Sequence, residues 1–222
     1  MSNTTQRATL FFLLSLLVIF FDLVGCVSPG PKVHPEFEIR VQQITKPVLM
    51  PPDVKVFEAL PGGVVVFRDD WSAVGRENLK NATINGFKEK NYIVKPLNSA
   101  IEISEELQEI QSLYKVVNKS IRLQTYGSQS SSEGKRFIDY SVGSLESILS
   151  MLDADALIFV CGLEEVSKGK TRAVINLAVA DPSGTIIWHA VQGSRGKHDL
   201  TNPKDAAELV LNLIVSFPKV GI

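Results

Sequence analysis

The alternation of apolar and polar positions is clearest between residues 141 and 195. Leu145, Ile148, Leu149 and Leu152 recur at i, i+3, i+4 and i+7, one stripe of a helix, with Ser141 as its predicted N-cap. Residues 156–163 (ALIFVCGL) are an unbroken apolar run of strand length, the pattern of a central strand covered on both faces. Lys168-Gly169 breaks the chain. Residues 171–180 then alternate, Ala173, Ile175, Leu177 and Val179 on one face and Arg172 and Asn176 on the other, which predicts a half-exposed strand. In Asp181-Pro182-Ser183-Gly184, Asp favours the first turn position, Pro presets φ at the second and Gly supplies positive φ, so residues 185–191 return as a hairpin strand. A helix leading into such a meander predicts one α/β (α+β) domain, with a mixed, largely antiparallel sheet and helices packed on it.

The rest of the chain supplies the covering elements. Residues 48–50 read as a short strand stopped by Pro51-Pro52, and 54–60 with 63–67 as a hairpin around Pro61-Gly62, either extending the sheet or projecting from it. Asp69-Asp70-Trp71-Ser72 opens a helix whose first turn favours acidic and hydroxyl groups; a divalent cation would need more oxygen ligands than follow. Gly75, Leu79, Ala82 and Gly86 give that helix a small face, suited to close approach to the sheet. Residues 92–97 read as a strand. Ser104 caps a helix with an apolar seam, Leu107, Ile110, Tyr114, Val117 and Ile121, opposed by Glu105, Glu106, Glu109, Lys115 and Lys119; packing on the domain's own sheet is its ordinary use, a coiled coil with a partner the other. Residues 127–134 (GSQSSSEG), which include Ser128 and Gln129, form a low-complexity loop, a connector or a contact segment. The last helix has Asn202 as N-cap, Pro203 at its first position, Asp205 in its first turn and Ala206, Leu209, Val210, Leu213 and Ile214 as its stripe, with Pro218 as the stop.

The amino terminus has the shape of an export signal: Arg7, then a nearly wholly apolar stretch over 10–21, then small residues before Cys26. The stretch is shorter than the ~20 residues that span a bilayer comfortably, and Asp22 adjoins it. Leu23-Val24-Gly25-Cys26 resemble the bacterial lipobox, which implies cleavage before Cys26 and acylation of its thiol. A secretory signal with an incidental cysteine and an uncleaved anchor are the other readings of these residues. Two or three acyl chains, at roughly 0.8 kcal/mol per buried CH₂, hold a protein stably at a membrane. Val27 rather than Asp at the second mature position implies, by the same resemblance, sorting to the outer membrane, facing the periplasm. Pro29, Pro31 and Pro35 predict an extended tether. The expected division is 1–25 signal, 26–43 lipidated cysteine and tether, and 44–222 α/β domain.

Charge and chemistry change this picture little. The chain has 23 Lys+Arg and 24 Asp+Glu, and loss of Arg7 and Asp22 with the signal leaves the net charge at −1, which gives nucleic-acid binding no electrostatic case. With Cys26 acylated only Cys161 remains, so no intrachain disulfide forms; its apolar run marks it as a small buried hydrophobe rather than a nucleophile. His34, His189 and His198 stand in no metal-binding spacing, and neither a P-loop nor G-x-G-x-x-G is present, so no cofactor, metal or nucleotide is expected. His198-Asp199 invites an acid–base reading as a hydrolase pair, but without a G-x-S-x-G turn it reads as a solvated loop pair.

The order of elements, with Ala154-Asp155-Ala156-Leu157-Ile158-Phe159-Val160 and then Asp181-Pro182-Ser183-Gly184-Thr185-Ile186-Ile187-Trp188, resembles a family of bacterial envelope domains over residues 44–216. That family includes the TolB amino-terminal domain, the curli-secretion lipoprotein CsgG and the penicillin-binding-protein activator LpoB. Asp153 stands where its members commonly have Gly. The resemblance implies an α/β module that binds other envelope proteins or itself. The expectation is a non-enzymatic lipoprotein adaptor, offering sheet edges, Asp69, Asp70 and Trp71, and the loop with Ser128 and Gln129 to a partner. A secretion-channel subunit, with 171–191 as membrane-reaching strands, is the alternative, and a hydrolase using His198 and Asp199 the third.

Overall fold

Asp155 explains how the sheet begins. Its carboxylate accepts the backbone N–H groups of Thr45 at 2.7 Å and Lys46 at 2.9 Å, and the Thr45 hydroxyl at 2.9 Å, so the strand after it and the strand after Lys46 start side by side. The residue before Ala154-Asp155 is left-handed, Asp153 at φ 49°, closing the preceding helix. The computed structural model describes residues 30–97, 104–126 and 137–221. The lipobox residues Leu23, Val24, Gly25 and Cys26, and the loop residues Ser128 and Gln129, lie outside them.

In chain order the elements are β1 (Lys32–Val33), α1 (Phe37–Arg40), a 3₁₀ turn (Val41–Gln43), β2 (Pro47–Leu49), β3 (Asp53–Ala59), β4 (Val65–Phe67), α2 (Asp69–Lys88), β5 (Lys95–Pro96), α3 (Glu105–Thr125), α4 (Glu146–Leu152), β6 (Ala156–Ser167), β7 (Lys170–Ala180), β8 (Ile186–Arg195) and α5 (Pro203–Ile214). The eight strands form one mixed sheet, in the order β1-β8-β7-β6-β2-β5, with β3 also on β6 and β4 on β3. The meander β6-β7-β8 is antiparallel throughout. The other side of β6 is shared by β2 along its first half and β3 along its second, both parallel. Leu49 faces Ile158 and Asp53 faces Cys161, so the chain bulges at Pro51-Pro52, where proline has no N–H to give the ladder.

Helices cover both faces. On the first, α2 and α5 pack over Val54, Val56, Ala156, Ile158, Val160, Ile175, Leu177 and Val179. On the second, α3 and α4 pack over Val48, Leu157, Phe159, Ala178 and Ala180. β7 is therefore not the half-exposed strand expected from its alternation: Asn176 is buried beneath α3, where the Tyr114 hydroxyl donates to its Oδ1 at 3.4 Å. The strands weighed as membrane-reaching, β7 and β8, lie inside the sheet, with the last part of β7 and the first half of β8 buried.

Three further readings are corrected. The expected tether is folded from Lys32 onward: β1 pairs with β8, Phe37 packs edge-on against Phe217, and Arg40 forms an ion pair with Asp181 in the β7–β8 turn. Ser141 does not cap α4; its hydroxyl accepts the N–H of Gly143 at 3.1 Å, and Leu145 occupies the N-cap position. The 92–97 strand shrinks to Lys95–Pro96, flanked by the Ile93 and Leu97 N–H groups on the carbonyls of Thr45 and Leu49.

The predicted hairpin turn forms, with the Gly184 N–H on the Asp181 carbonyl at 2.8 Å. Gly184 has φ 77°, and a Cβ there would stand 1.6 Å from the Gly143 carbonyl oxygen. Only glycine fits. Ser104 caps α3 through the Leu107 N–H, and Asn202 caps α5 through the N–H groups of Lys204 and Asp205. Gly75 brings α2 against Val54 of the sheet, as its small face predicts, whereas Gly86 brings it against Ile214 of α5.

Candidate functional site

Two surfaces stand open to solvent. The first is the outer end of the sheet. Pro61-Gly62-Gly63 turns the chain with φ 88° and 84° at the two glycines, and β4 comes back antiparallel on β3 with Phe57 opposite Phe67, Glu58 opposite Val66 and Ala59 opposite Val65. Among the described residues β4 pairs with β3 alone. Val64, just before β4, and Val65, Val66 and Phe67 on it are between 37% and 58% exposed, so four consecutive apolar side chains line this edge. Such edges are the sites where a further strand adds.

The acidic residues expected at a partner surface sit at the root of this edge, but they are already engaged. Arg68 lies over the Trp71 ring, 3.8 Å from its centre, and reaches Glu58 at 2.6 Å and Asp70 at 2.9 Å. Its hydrogen bond holds the Asp70 carboxyl below its usual range. Asp69 faces Arg76 at 3.7 Å. Ser72 is buried rather than capping: its hydroxyl accepts the Val56 N–H at 2.9 Å and donates to the Arg68 carbonyl at 2.6 Å, locking α2 onto β3.

The second surface is a groove of about 980 Å³ where the flank of α3 overhangs the uncovered end of the second face. Lys115, Lys119 and Arg122 come from α3, Lys55 from β3 and Arg195 from β8. Asp53 is the lone carboxylate in the lining, and it pairs with Lys115 at 3.2 Å. Cys161 forms part of the floor. Burial, and secondarily Asp53, pushes its thiol up to about 12, so it stays protonated and unreactive at neutral pH.

The structure does not join His198 and Asp199 as the acid–base pair that the hydrolase alternative needs. Asp199 turns away from His198, its Oδ1 accepting the Thr201 N–H at 2.7 Å and the Thr201 hydroxyl at 2.6 Å. The His198 ring instead meets Ser194 Oγ at 2.6 Å through Nδ1 and Glu208 Oε1 at 3.2 Å through Nε2. These residue types suit a proton relay, yet the Glu208 side chain is 58% exposed and its charge is weakened by water. What the three groups do is tie the end of β8 to α5. No sequence pattern marks Glu208, which comes from the next helix.

Two buried ionisable groups complete the inventory. The His189 Nε2–H donates to Asn118 Oδ1 at 3.0 Å, its Nδ1 has no partner, and burial lowers its pKa to about 3. Glu164 accepts the Leu200 N–H at 3.2 Å while its Oε1 has no partner; burial first, and then Asp199, raise it to about 7. His34 accepts the Glu36 N–H at 3.1 Å. Among the described residues there is no group of three or more His, Cys, Asp or Glu that could hold a metal ion, and no helix long and apolar enough to cross a membrane.

No protein-family model and no curated protein matches the chain. Among solved structures it is similar to the PelC dodecamer from Paraburkholderia phytofirmans, at 10% identity and TM-score 0.40, over 83% of this chain and 91% of that one. It is also similar to lipoprotein GNA1162 from Neisseria meningitidis, at 13% identity and TM-score 0.36, over 68% and 80%. A third is the LpoB C-terminal domain from Salmonella enterica, at 12% identity and TM-score 0.26, over 73% and 95%.

Proposed function

We propose that this chain is a non-enzymatic lipoprotein of the bacterial envelope, held by acyl chains on Cys26 and facing the periplasm from the outer membrane, that works by binding envelope proteins or further copies of itself. The observation that carries the reading is the β4 edge, where Val64 and the three residues of the strand expose four apolar side chains beside Arg68, which stacks on Trp71 and is ion-paired with Glu58 and Asp70. An apolar edge left in water is an aggregation hazard, and its use as an interface removes the hazard. The signal and Leu23-Val24-Gly25-Cys26 supply the location, and anchoring at a bilayer raises the effective concentration of neighbours on the same membrane.

The test is site-directed photo-crosslinking in intact cells of the source bacterium. A photoreactive residue at Val66 is expected to capture a discrete protein adduct, and one at Lys204, on the exposed start of α5, is expected to capture none. An abundant, folded Val66 variant that yields no adduct overturns the β4 interface. Mass spectrometry showing an unmodified Cys26 thiol on a freely diffusing product overturns the anchor.

A further inference from the structure

We propose that the groove between α3 and the second face of the sheet binds an acidic, partly apolar peptide segment of a partner protein. This surface is distinct from β4, and the inference holds at whichever membrane the chain is anchored. It begins from charge. The chain carries a net charge of −1, yet five cationic side chains and one carboxylate line this groove. Lys115 is engaged by Asp53; among the described residues Lys55, Lys119, Arg122 and Arg195 form no ion pair. Arg40, Arg68 and Arg76 are matched by carboxylates, and cations without an ion pair also stand elsewhere on the surface, but in the groove four of them line one cleft. Cations gathered on facing walls repel one another and focus a positive potential into the cleft, which favours an anionic occupant.

The remaining lining decides which anion. Leu123 is 64% exposed and Leu163 43% exposed, and Val191 lies beside them, so cations and apolar side chains share the walls. A polyphosphate or nucleic acid would satisfy the cations and leave these apolar groups in water. Single-stranded nucleic acid also needs flat rings for its bases, and Tyr126, the one aromatic residue in the lining, has its ring beside His189 and its hydroxyl on the His189 carbonyl. Three of the five cations are lysines, point charges that suit carboxylates without demanding a fixed fork. A peptide alternating Glu or Asp with Leu or Val uses both kinds of wall. The volume is at the upper end of the about 300–1,000 Å³ of small-ligand pockets, room for several extended residues.

The test uses the full chain in a non-ionic detergent and a fluorescent peptide of about eight residues alternating Glu and Leu, followed by anisotropy at several salt concentrations. Saturable binding that weakens with salt is expected. Lys55→Glu with Lys119→Glu, one from each wall, is expected to weaken it about tenfold or more, and Lys204→Glu, the same charge change elsewhere, to leave it unchanged. Replacing Leu by Ser in the peptide is expected to weaken binding as well. Circular dichroism confirms that each variant is folded. No binding at millimolar peptide, equal binding by the double variant, or displacement by a short oligonucleotide at lower concentration than by unlabelled peptide each overturns the proposal, the last by making the groove a general polyanion site.

Discussion

The two faces of the sheet are covered differently, although the same strands supply both. On the first face the cover is complete: Phe217 touches Trp188 and Phe87 with ring centres 5.2 Å away, Tyr92 at 5.6 Å and Phe37 at 6.0 Å, joining both ends of the chain over the sheet. Lys90 closes it by donating to the carbonyls of Val215 and Phe217. On the second face Tyr114 stacks on Phe159 at 4.1 Å, but toward the far end of β6 the side chains change to Cys161 and Leu163, and the cover stops. Stability is concentrated where helices meet the whole strand. The half-covered face keeps an accessible floor.

The comparison is tested most severely by truncation. Phe217→Ala is expected to cost about 3–5 kcal/mol, because a buried ring touching four others leaves a cavity that they cannot fill together. Leu163→Ala, the same kind of deletion at the open end of the second face, is expected to cost less than about 0.5 kcal/mol. Urea unfolding midpoints at constant slope measure both. Equal losses would mean that the groove is core rather than surface.

The next effect is a matter of pH, because a carboxyl buried under one face and an imidazole buried under the other act in opposite directions. Glu164, under the first face, keeps its proton up to about pH 7 when folded, whereas an unfolded glutamate releases it near 4.5. The folded state then binds the extra proton, so stability falls as pH rises from 4.5 to 7. His189, under the second, refuses a proton down to about pH 3, whereas the unfolded ring accepts one near 6.5. The unfolded state then binds the extra proton, so stability falls as pH drops from 6.5 toward 3. One proton changes stability by at most about 1.4 kcal/mol per pH unit. Glu164→Gln is expected to gain on the parent chain progressively between pH 4.5 and 7, and His189→Gln to gain below pH 6.5. Denaturation midpoints across pH 4–8 decide it, and curves parallel to the parent's would show that neither burial is felt.

On both faces the sequence revealed what acts locally. Local signals marked the meander: the unbroken run from Ala156, the alternation from Ala173 to Val179 and the Asp181-Pro182-Ser183-Gly184 turn all act within a few residues, and all three form. The segment around Phe37 reads as tether because its prolines are local, while Phe217, against which it packs, lies 180 residues further along the chain. The groove was hidden for a related reason. Lys115 and Lys119 read as a solvated flank of α3, and nothing in their spacing brings in Lys55 or Arg195, which the sheet places opposite them. Glu208 beside His198 is the same case, a partner supplied by tertiary packing alone.

The smallest effect bears most directly on what the open face is for. If its cations are unmatched, removing one relieves repulsion, so Lys119→Gln is expected to raise stability by about a few tenths of a kcal/mol at low salt, with the gain fading as salt screens the groove. Lys80→Gln on α2 is expected to do the reverse, because Lys80 pairs with Glu77 at 2.6 Å. The measurement is the difference in unfolding midpoint between 20 mM and about 500 mM salt, where the Debye length has shortened to a few ångströms. A neutralisation that stabilises the fold while it weakens the acidic peptide would set binding and stability against each other at one residue. Loss of stability at Lys119 would instead mean that its charge already has a counter-charge, and the groove would then have less reason to take one from a partner.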